Sequence, residues 1–264
     1  MRNRIMANNR KVLIFENTHT LANALVKKFV ELAQYYIAKE GRFTAVFSGG
    51  PTPAEFFSKL SSMEDFRIWQ RTHIFMVDER FVPADHHESN FKLMKDNLFN
   101  FANIPAQNIH SINTDCKNIN VAAEEYKKEI VQNLDCSQNG LPSFDLIMLG
   151  VGEDGHSASL FSDDKNINDP RRVTLPVSLN HLKRERVTLT LPVINNAKHV
   201  YFQVQGLHKA DIVKAVLEGS TDYPAAGVRP ANGELVFFLD KKASHKLSYK
   251  DDYTLYDEAI SVNL

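Results

Sequence analysis

Residues 144–161 read FDLIMLGVGEDGHSASLF, and they join an apolar strand, a glycine-rich turn and an ionisable cluster in one uninterrupted run. The short apolar segment 145–149 predicts a strand that is buried on both faces of a parallel sheet. The glycines after it let the backbone turn sharply and approach a ligand closely. Ligands of open α/β sheets bind beyond the carboxyl ends of the strands, so we expect Glu153, Asp154 and His156 at a binding site.

The glycines at positions 150, 152 and 155 also match the Gly-x-Gly-x-x-Gly fingerprint of dinucleotide-binding folds. Two features argue against a nicotinamide or flavin site. Glu153 and Asp154 would place two carboxylates beside a pyrophosphate, and the acids about twenty residues further on lie in the polar segment DDKNINDP, where the fingerprint requires a strand end. The glycine spacing is therefore the only support for a dinucleotide cofactor.

Composition excludes several classes of function. The 264 residues carry 31 Lys and Arg against 32 Asp and Glu, so no surface of one sign indicates a nucleic-acid or membrane partner. Cys116 and Cys136 suit free thiols in a reducing compartment, and neither they nor His86 and His87 have metal-ligand spacing, so no metal site is predicted. Without a secretory signal or a bilayer-spanning apolar run, a cytoplasmic protein is expected.

Strand and helix patterns alternate along the chain and predict an α/β fold. The predicted strands are 11–15, 43–47, 73–77, 109–112, 145–149, 173–177, 186–190, 199–204 and 235–239. The predicted helices are 18–40, 54–60, 91–99, 121–134 and 208–218. Since no repeat, linker or change of composition divides the chain, we expect a flexible tail over residues 1–10 and a single domain over 11–264.

Two strands end in residues that suit an anion. The strand at 43–47 runs into SGGPTP at 48–53 and then a helix, which offers free backbone N–H groups, a favourable dipole and the hydroxyls of Ser48 and Thr52. An ordinary tight turn is the plainer interpretation of that segment alone. The strand at 73–77 leads to Asp78, Glu79 and Arg80, where Arg80 forms a surface ion pair or offers a planar fork for phosphate.

A lysine near the start of the helix at 208–218 adds a third element. Lys209 lies in the first turn, where the helix dipole disfavours a cation. Its position costs stability unless an anion binds nearby.

Six blocks in order now resemble the 6-phosphogluconolactonase family over residues 12–240. They are FSGGPTP at 47–53, VDERFVP at 77–83 with Ser89-Asn90, GVGEDGHSASLF at 150–161, RVTLTLPVINNAKHV at 186–200, VQGLHKADIVKAVLEG at 204–219 and YPAAGVRPANGELVFFLD at 223–240. The resemblance implies a doubly wound, mostly parallel Rossmann-like sheet with helices on both faces. It also implies hydrolysis of 6-phospho-D-glucono-1,5-lactone to 6-phospho-D-gluconate in the oxidative pentose phosphate pathway, without a cofactor.

A catalytic pair follows from the chemistry of lactone opening. His156 is expected to activate water as the general base, and Asp154 to accept the other imidazole proton and hold the tautomer. Backbone N–H groups of the 152–157 loop, which starts at Gly152, are expected to face the developing oxyanion. A structural loop histidine is the alternative, and the DGH context within the six blocks argues against it.

The phosphate is expected on the other side of the crevice. The residues expected to bind the substrate there are Ser48, Gly49, Gly50, Thr52, Arg80 and Lys209. Asp78 is expected to contact sugar hydroxyls or to orient Arg80. Arg186 is a weaker candidate, expected to be solvated or ion-paired. Pro51 stands where many relatives have serine, which removes one hydroxyl and one N–H from the turn.

Two rival functions remain. In the sister family of glucosamine-6-phosphate deaminases, a glutamate stands where this chain has Phe161, and a tyrosine stands where it has Arg80. A non-catalytic sugar-phosphate sensor would lose catalytic side chains and add a DNA-binding module, whereas this chain retains His156 and Asp154. The ligand expected is therefore a small phosphosugar lactone, bound by a monomer or a small homo-oligomer.

Overall fold

The structure, a computed structural model, describes residues 10–63, 66–134, 136, 140–219, 222–248 and 254–255. The tail expected over residues 1–10 falls outside these residues, except for Arg10. The strands are β1 (Arg10–Phe15), β2 (Phe43–Phe47), β3 (Thr72–Met76), β4 (Asp78–Arg80), β5 (Ile109–His110), β6 (Leu146–Leu149), β7 (Thr174–Val177), β8 (Arg186–Leu189), β9 (His199–Val204), β10 (Glu234–Asp240) and β11 (Thr254–Leu255).

Helices connect these strands on both faces of the main sheet. They are α1 (Thr18–Glu40), α2 (Ala54–Ser61), α3 (Phe66–Arg71), α4 (Asn90–Met94), α5 (Ile119–Asn133), α6 (Leu191–Ile194) and α7 (Ala210–Glu218). A π-helical turn, Lys95–Phe99, continues α4, and short 3₁₀ turns occupy Ala106–Asn108, Leu207–Lys209 and Pro224–Gly227. None of the helices in the described ranges has the length and hydropathy to cross a bilayer.

The main sheet has eight parallel strands among the described residues, in the order β11-β1-β10-β9-β6-β2-β3-β5. From the adjacent pair β6 and β2, the strands continue outward in opposite directions, which is the doubly wound arrangement predicted. The carboxyl ends of β2 and β6 therefore meet at a topological switch point, where open α/β sheets bind ligands.

The central strands are buried because they read as continuous apolar runs. Every residue of β2 and of β6 is buried, as expected for parallel strands covered on both faces. Asp145, just before β6, is the polar exception. Its carboxylate accepts hydrogen bonds from the N–H and hydroxyl of Thr44 at 2.7 and 2.8 Å and pairs with Lys198 at 2.8 Å, which fixes the start of β6 between its two neighbours.

The long helix α1 has the predicted bounds because both of its ends carry strong signals. At its start, the side chain of Asn17 accepts from the N–H of Thr20, and the hydroxyl of Thr20 accepts from the N–H of Asn17. This capping box satisfies two backbone donors. At its end, Gly41 adopts a left-handed φ of 79° that few other residues tolerate.

A second, smaller sheet was not predicted. Among the described residues it has three antiparallel strands in the order β4-β8-β7. The segment 78–80, for which no strand was predicted, pairs with β8, so that Arg80 lies opposite Arg186. The sequence hid this pairing because β4 has only three polar or charged residues and its partner lies more than a hundred positions away. The small sheet places Asp78, Arg80 and Arg186 together.

Candidate active site

The loops that follow β2, β6 and β9 surround one cavity of about 340 Å³. Nine of the residues predicted from the sequence line it: Ser48, Gly49, Gly50, Thr52, Asp78, Arg80, Gly152, His156 and Lys209. Asp154 does not line the cavity and contacts it through His156. Glu153, also expected at the site, lines the cavity as well, and Arg186, Gln203, Asn90 and His208 are further polar residues of the wall. Segments far apart in sequence thus converge on one crevice.

His156 and Asp154 form a hydrogen-bonded pair. Nδ1 of His156 lies 2.5 Å from Oδ1 of Asp154. A carboxylate can only accept here, so Nδ1 carries the proton and Nε2 is left to accept one. Burial alone would raise the pKa of Asp154, but the charge and hydrogen bonds of His156 hold that pKa below its ordinary value. The carboxylate therefore stays ionised and fixes the imidazole tautomer.

Gly152 supports this pair by close approach. A Cβ at that position would lie 2.2 Å from Nδ1 of His156 and 2.5 Å from Oδ1 of Asp154. Its N–H donates to the carbonyl of His156, and the N–H groups of Gly155 and His156 donate to Gly152 O and Asp154 Oδ1. Those three N–H groups, which were expected among the donors to an oxyanion, are therefore committed within the loop.

The turn at 48–52 has the features of an anion site. Gly50 has a left-handed φ of 85°, and open space surrounds the position where its Cβ would stand. The buried hydroxyl of Ser48 has no hydrogen-bond partner among the described residues. Pro53 is the N-cap of α2 and makes no side-chain hydrogen bond there. The turn thus presents backbone and a free hydroxyl next to a helix N-terminus.

Two cations of the wall are held differently. Nη1 of Arg80 donates to the carbonyl of Glu88 at 2.8 Å and to Oδ1 of Asn90 at 2.9 Å. Lys209 precedes α7 at its N-cap, since the helix starts at Ala210 after a 3₁₀ turn. Within the described ranges its ammonium has no hydrogen bond or ion pair. One cation is therefore fixed in place, and the other is available to a ligand.

Arg186 was expected to be solvated or ion-paired, and the structure corrects this. Its guanidinium is partly buried, 5.6 Å from the ring centroid of Phe161, and it donates a long 3.4 Å hydrogen bond to the hydroxyl of Ser159. Burial lowers its pKa, and the neighbouring charge of Arg80 lowers it further, while Asp78 raises it. The expectation was wrong because the pairing of β8 with β4 draws Arg186 into the crevice.

Asp78 is buried and does not contact Arg80 directly. One oxygen of its carboxylate accepts from the hydroxyl of Ser159 at 2.6 Å, and the other lies 3.4 Å from Nδ2 of Asn90. Of the two roles expected for Asp78, a direct orienting contact with Arg80 is thus not made. Asn90 stands between the two side chains.

Sequence reasoning assigned no role to Asn90, Ser159 or Gln203. Nδ2 and Oδ1 of Asn90 connect Asp78 with Arg80. Gln203 is 4% exposed, and its amide donates to the carbonyl of Thr52 at 3.2 Å. One signal was available for Gln203, because it is the polar residue near the carboxyl end of the otherwise apolar strand HVYFQV. Ser159 gave none.

Four unsatisfied polar atoms mark the cavity as a ligand site. Five buried side-chain polar atoms lack a partner within the described ranges: Ser48 Oγ, Arg80 Nε, Arg186 Nε, Gln203 Oε1 and Trp69 Nε1. The first four belong to residues that line the cavity. Unsatisfied buried groups are rare in native proteins, so their concentration at one place indicates a ligand with several oxygen acceptors and at least one donor.

A group with possible metal ligands lies outside the crevice. Ligand atoms of His86, His87 and Glu88 come within 4.8 Å of one another. The carboxylate of Glu88 is already paired with Arg184 at 2.9 Å and with Lys183 at 3.7 Å. A metal ion there would have to displace both Arg184 and Lys183 from Glu88, so the absence of a metal site remains our prediction.

Fold and site together define a doubly wound α/β protein whose crevice combines an imidazole–carboxylate pair with an anion-binding turn and several cations. The chain belongs to the family of glucosamine-6-phosphate isomerases and 6-phosphogluconolactonases, whose model matches residues 16–237. The family resemblance stated from the six blocks is thereby confirmed.

Several proteins similar to this chain are 6-phosphogluconolactonases. The chain is 37% identical over 246 residues to 6-phosphogluconolactonase 3, chloroplastic, of Arabidopsis thaliana, covering 90% of this chain and 75% of the relative. The 6-phosphogluconolactonase of Thermotoga maritima has a TM-score of 0.76 at 30% identity, covering 88% and 100% of the two chains. That of Trypanosoma brucei has a TM-score of 0.80 at 25% identity, covering 90% and 99%.

Proposed function

We propose that the protein hydrolyses 6-phospho-D-glucono-1,5-lactone to 6-phospho-D-gluconate. One observation carries this proposal: the His156–Asp154 pair and the cations Arg80, Arg186 and Lys209 belong to the same crevice. A phosphosugar lactone needs both halves, a base for its ester and positive charge for its phosphate. The similarity to 6-phosphogluconolactonases supports the same substrate.

The base is Nε2 of His156. With Nδ1–H bonded to Asp154, Nε2 accepts a proton from a water molecule while the water oxygen attacks the lactone carbonyl. The tetrahedral intermediate then collapses, the bond between C1 and the ring oxygen breaks, and the imidazolium returns its proton to that oxygen. The products are a carboxylic acid, which ionises, and a hydroxyl on C5.

The phosphate binds at the opposite wall. Ser48, the backbone of Gly49 and Gly50, and Thr52 surround it on one side, with Arg80 and Lys209 as cations. Arg80 offers a planar fork whose Nε–H is unsatisfied, and Lys209 offers an unpaired point charge. Because the turn lacks the N–H of a residue at Pro51, these side chains supply a larger share of the binding than in relatives with serine there.

Phe161 disfavours the deaminase alternative. Its ring lies 4.8 Å from that of His156 and packs beneath Arg186. In deaminases a glutamate that assists ring opening occupies this position. An apolar ring here cannot transfer a proton, so the position that supplies the assisting acid in deaminases supplies none in this chain.

The remaining expectations belong to the same proposal. The enzyme acts without a cofactor or metal in the oxidative pentose phosphate pathway, as a single domain over residues 11–264. We place it in the cytoplasm, although several relatives are named chloroplastic. Fractionation of the cells that express the protein tests that location.

The activity test uses freshly generated lactone, with the spontaneous hydrolysis rate subtracted. We expect turnover well above that background, and no ammonia from glucosamine 6-phosphate under the same conditions. Substantial ammonia release, or lactone opening no faster than the spontaneous reaction, would refute the proposal. A protein with His156→Ala serves as the control for trace contamination.

A further inference from the structure

Asn90 joins the parts of the crevice that face the phosphosugar. Its side chain is 2% exposed. Oδ1 accepts from Nη1 of Arg80 at 2.9 Å, and Nδ2 donates to the backbone carbonyl of Asp78 at 2.9 Å, with the Asp78 carboxylate 3.4 Å away. One carboxamide thus holds a cation on one side and an acid on the other.

The orientation of this carboxamide is not interchangeable. A guanidinium can only donate, so it requires Oδ1, and the two oxygens of Asp78 require Nδ2. Reversing the amide would place Oδ1 against two oxygens and Nδ2 against a cation. The hydrogen-bond network therefore fixes which atom faces which neighbour.

The turn at residues 48–52, which we call the anion turn, packs directly on the side chain of Asn90. A Cβ at Gly49 would lie 2.0 Å from Oδ1 of Asn90 and 2.6 Å from its Cβ. No other residue at position 49 could approach so closely. The turn and Arg80 therefore lie against the same side chain.

A buried carboxylate fixes the backbone of Asn90. Oε1 of Glu79 accepts from the N–H of Asn90 at 2.7 Å, and Oε2 accepts from the N–H of Phe91 at 2.7 Å and the hydroxyl of Ser89 at 3.0 Å. Ser89 in turn caps α4 by accepting from the N–H of Lys92. These bonds leave the first turn of α4 little freedom, so the side chain of Asn90 is presented from a rigid base.

We propose that Asn90 is a positioning residue that holds Arg80 and Asp78 in register with the anion turn for binding of the phosphosugar. The proposal rests on the proposed function for the identity of the ligand. It assigns Asn90 no contact with the reacting atoms. Its effect on phosphate binding passes through Arg80, and its effect on the sugar end passes through Asp78.

The test is a mutant cycle with two readouts, the KM and kcat for the lactone and the affinity for inorganic phosphate. Asn90→Ala should weaken phosphate binding and raise KM by roughly tenfold, with kcat changed by less than about threefold. In an Arg80→Ala background the same substitution should change phosphate affinity by less than about twofold, because the side chain through which Asn90 acts on the phosphate is absent. Additive losses in the double variant would overturn the proposal.

A conservative variant separates the two sides of the amide. Asn90→Asp keeps the acceptor for Arg80 but places a carboxylate against both oxygens of Asp78. Phosphate affinity should stay within about threefold of the unmodified protein while the KM for the lactone rises roughly tenfold. Equal losses of phosphate and lactone affinity would contradict the assignment and indicate a general structural role.

Asn97→Ala provides the matched control. Asn97 lies in the next turn of the same helical segment, and its amide donates only to the carbonyl of Leu93 within the described ranges. Its loss should leave both readouts unchanged. Phosphate affinity is measured by calorimetry without turnover, so the cycle can succeed even if the lactone proves not to be the substrate, and the two failures are distinguishable.

Discussion

His156 has catalytic potential because of the two residues packed around it. The carboxylate of Asp154 accepts a hydrogen bond from Nδ1–H of His156, and Gly152 leaves room for both side chains. An imidazole without that acceptor would be free to adopt either tautomer, and a base with its lone pair on the wrong nitrogen cannot activate water. The chemistry at this scale depends on three neighbouring positions of one loop.

Removal of the imidazole tests this account. We expect His156→Ala to lower kcat for the lactone by about two to four orders of magnitude, while the affinity for inorganic phosphate stays the same. His181→Ala is the control. The ring of His181 lies on Phe161, with centroids 5.5 Å apart, and its Nδ1 contacts Asp163, not Asp154. Steady-state kinetics give the answer, and unchanged turnover in His156→Ala would exclude it as the base.

Lys209 makes a separate prediction about affinity. Lys209→Ala should raise KM about tenfold or more and leave kcat nearly unchanged, because it removes a cation that we propose to contact the phosphate and not the ester. Lys214→Ala, on the exposed side of α7 where the amine bonds to Ser248, should change neither value. Equal KM values for the two variants would remove Lys209 from the phosphate site.

At the scale of single residues, the sequence predicted what is local and missed what is tertiary. Asp154 and His156 interact across one turn, and the DGH run within the six blocks identified them. Asn90 and Arg186 owe their positions to strand pairing and to the buried carboxylate of Glu79. No pattern within a short window of sequence encodes those contacts.

At the scale of elements, the edge of the main sheet carries a chain of hydrogen-bonded polar side chains, of which His110 is buried and the other two are partly buried. Glu129 of α5 accepts from Nδ1 of His110 at 2.6 Å, which leaves Nε2 of His110 to accept from Nδ1 of His73 at 3.0 Å. The ring of His110 also stacks on Phe75, with centroids 4.1 Å apart. Burial lowers the pKa of both histidines, so it disfavours a positive charge on either ring.

The edge therefore predicts acid sensitivity. Burial, with the charges of His110 and Arg42, lowers the pKa of His73 from 6.5 to about 4. Between these two values the unfolded chain binds more protons than the folded one, so stability is present at neutral pH and is lost as the pH falls. Because His73 is only half-buried, we expect this residue to account for a loss of about 1–2 kcal/mol.

Urea denaturation at pH 7 and pH 5 measures this effect. The unmodified protein should lose more unfolding free energy between the two values than a His73→Gln variant does. His245→Gln, a change at an exposed histidine, should lose as much as the unmodified protein. An identical loss in all three proteins would show that His73 does not couple folding to protons.

The strands and helices were predicted where their signals are local. Both ends of α1 and the apolar runs of β2 and β9 match the predicted bounds. The small sheet was missed because Asp78, Glu79 and Arg80 have no alternating apolar pattern, and only their pairing with β8 makes them a strand. All three positions of β4 carry charged side chains, so the alternation of apolar and polar residues that reveals a strand is missing there.

At the scale of the whole molecule, a nearly neutral chain concentrates positive charge at one place. The formal net charge is −1, yet Arg80, Arg186 and Lys209 line a single crevice. The total charge gave no indication of a basic nucleic-acid surface, and it could not reveal this local excess. The fold creates it by bringing together the small sheet and the start of α7, and that local field suits one small anionic ligand.

A crystal structure with bound 6-phosphogluconate tests the central claim, that one crevice binds the phosphate at one wall and presents the ester to an imidazole at the other. We predict phosphate oxygens within hydrogen-bond distance, about 2.7–3.2 Å, of Arg80, Lys209 and the turn at Gly50, with the C1 carboxylate beside Nε2 of His156. A phosphate bound near His156, or a ligand that leaves Arg80 and Lys209 without contact, would contradict it.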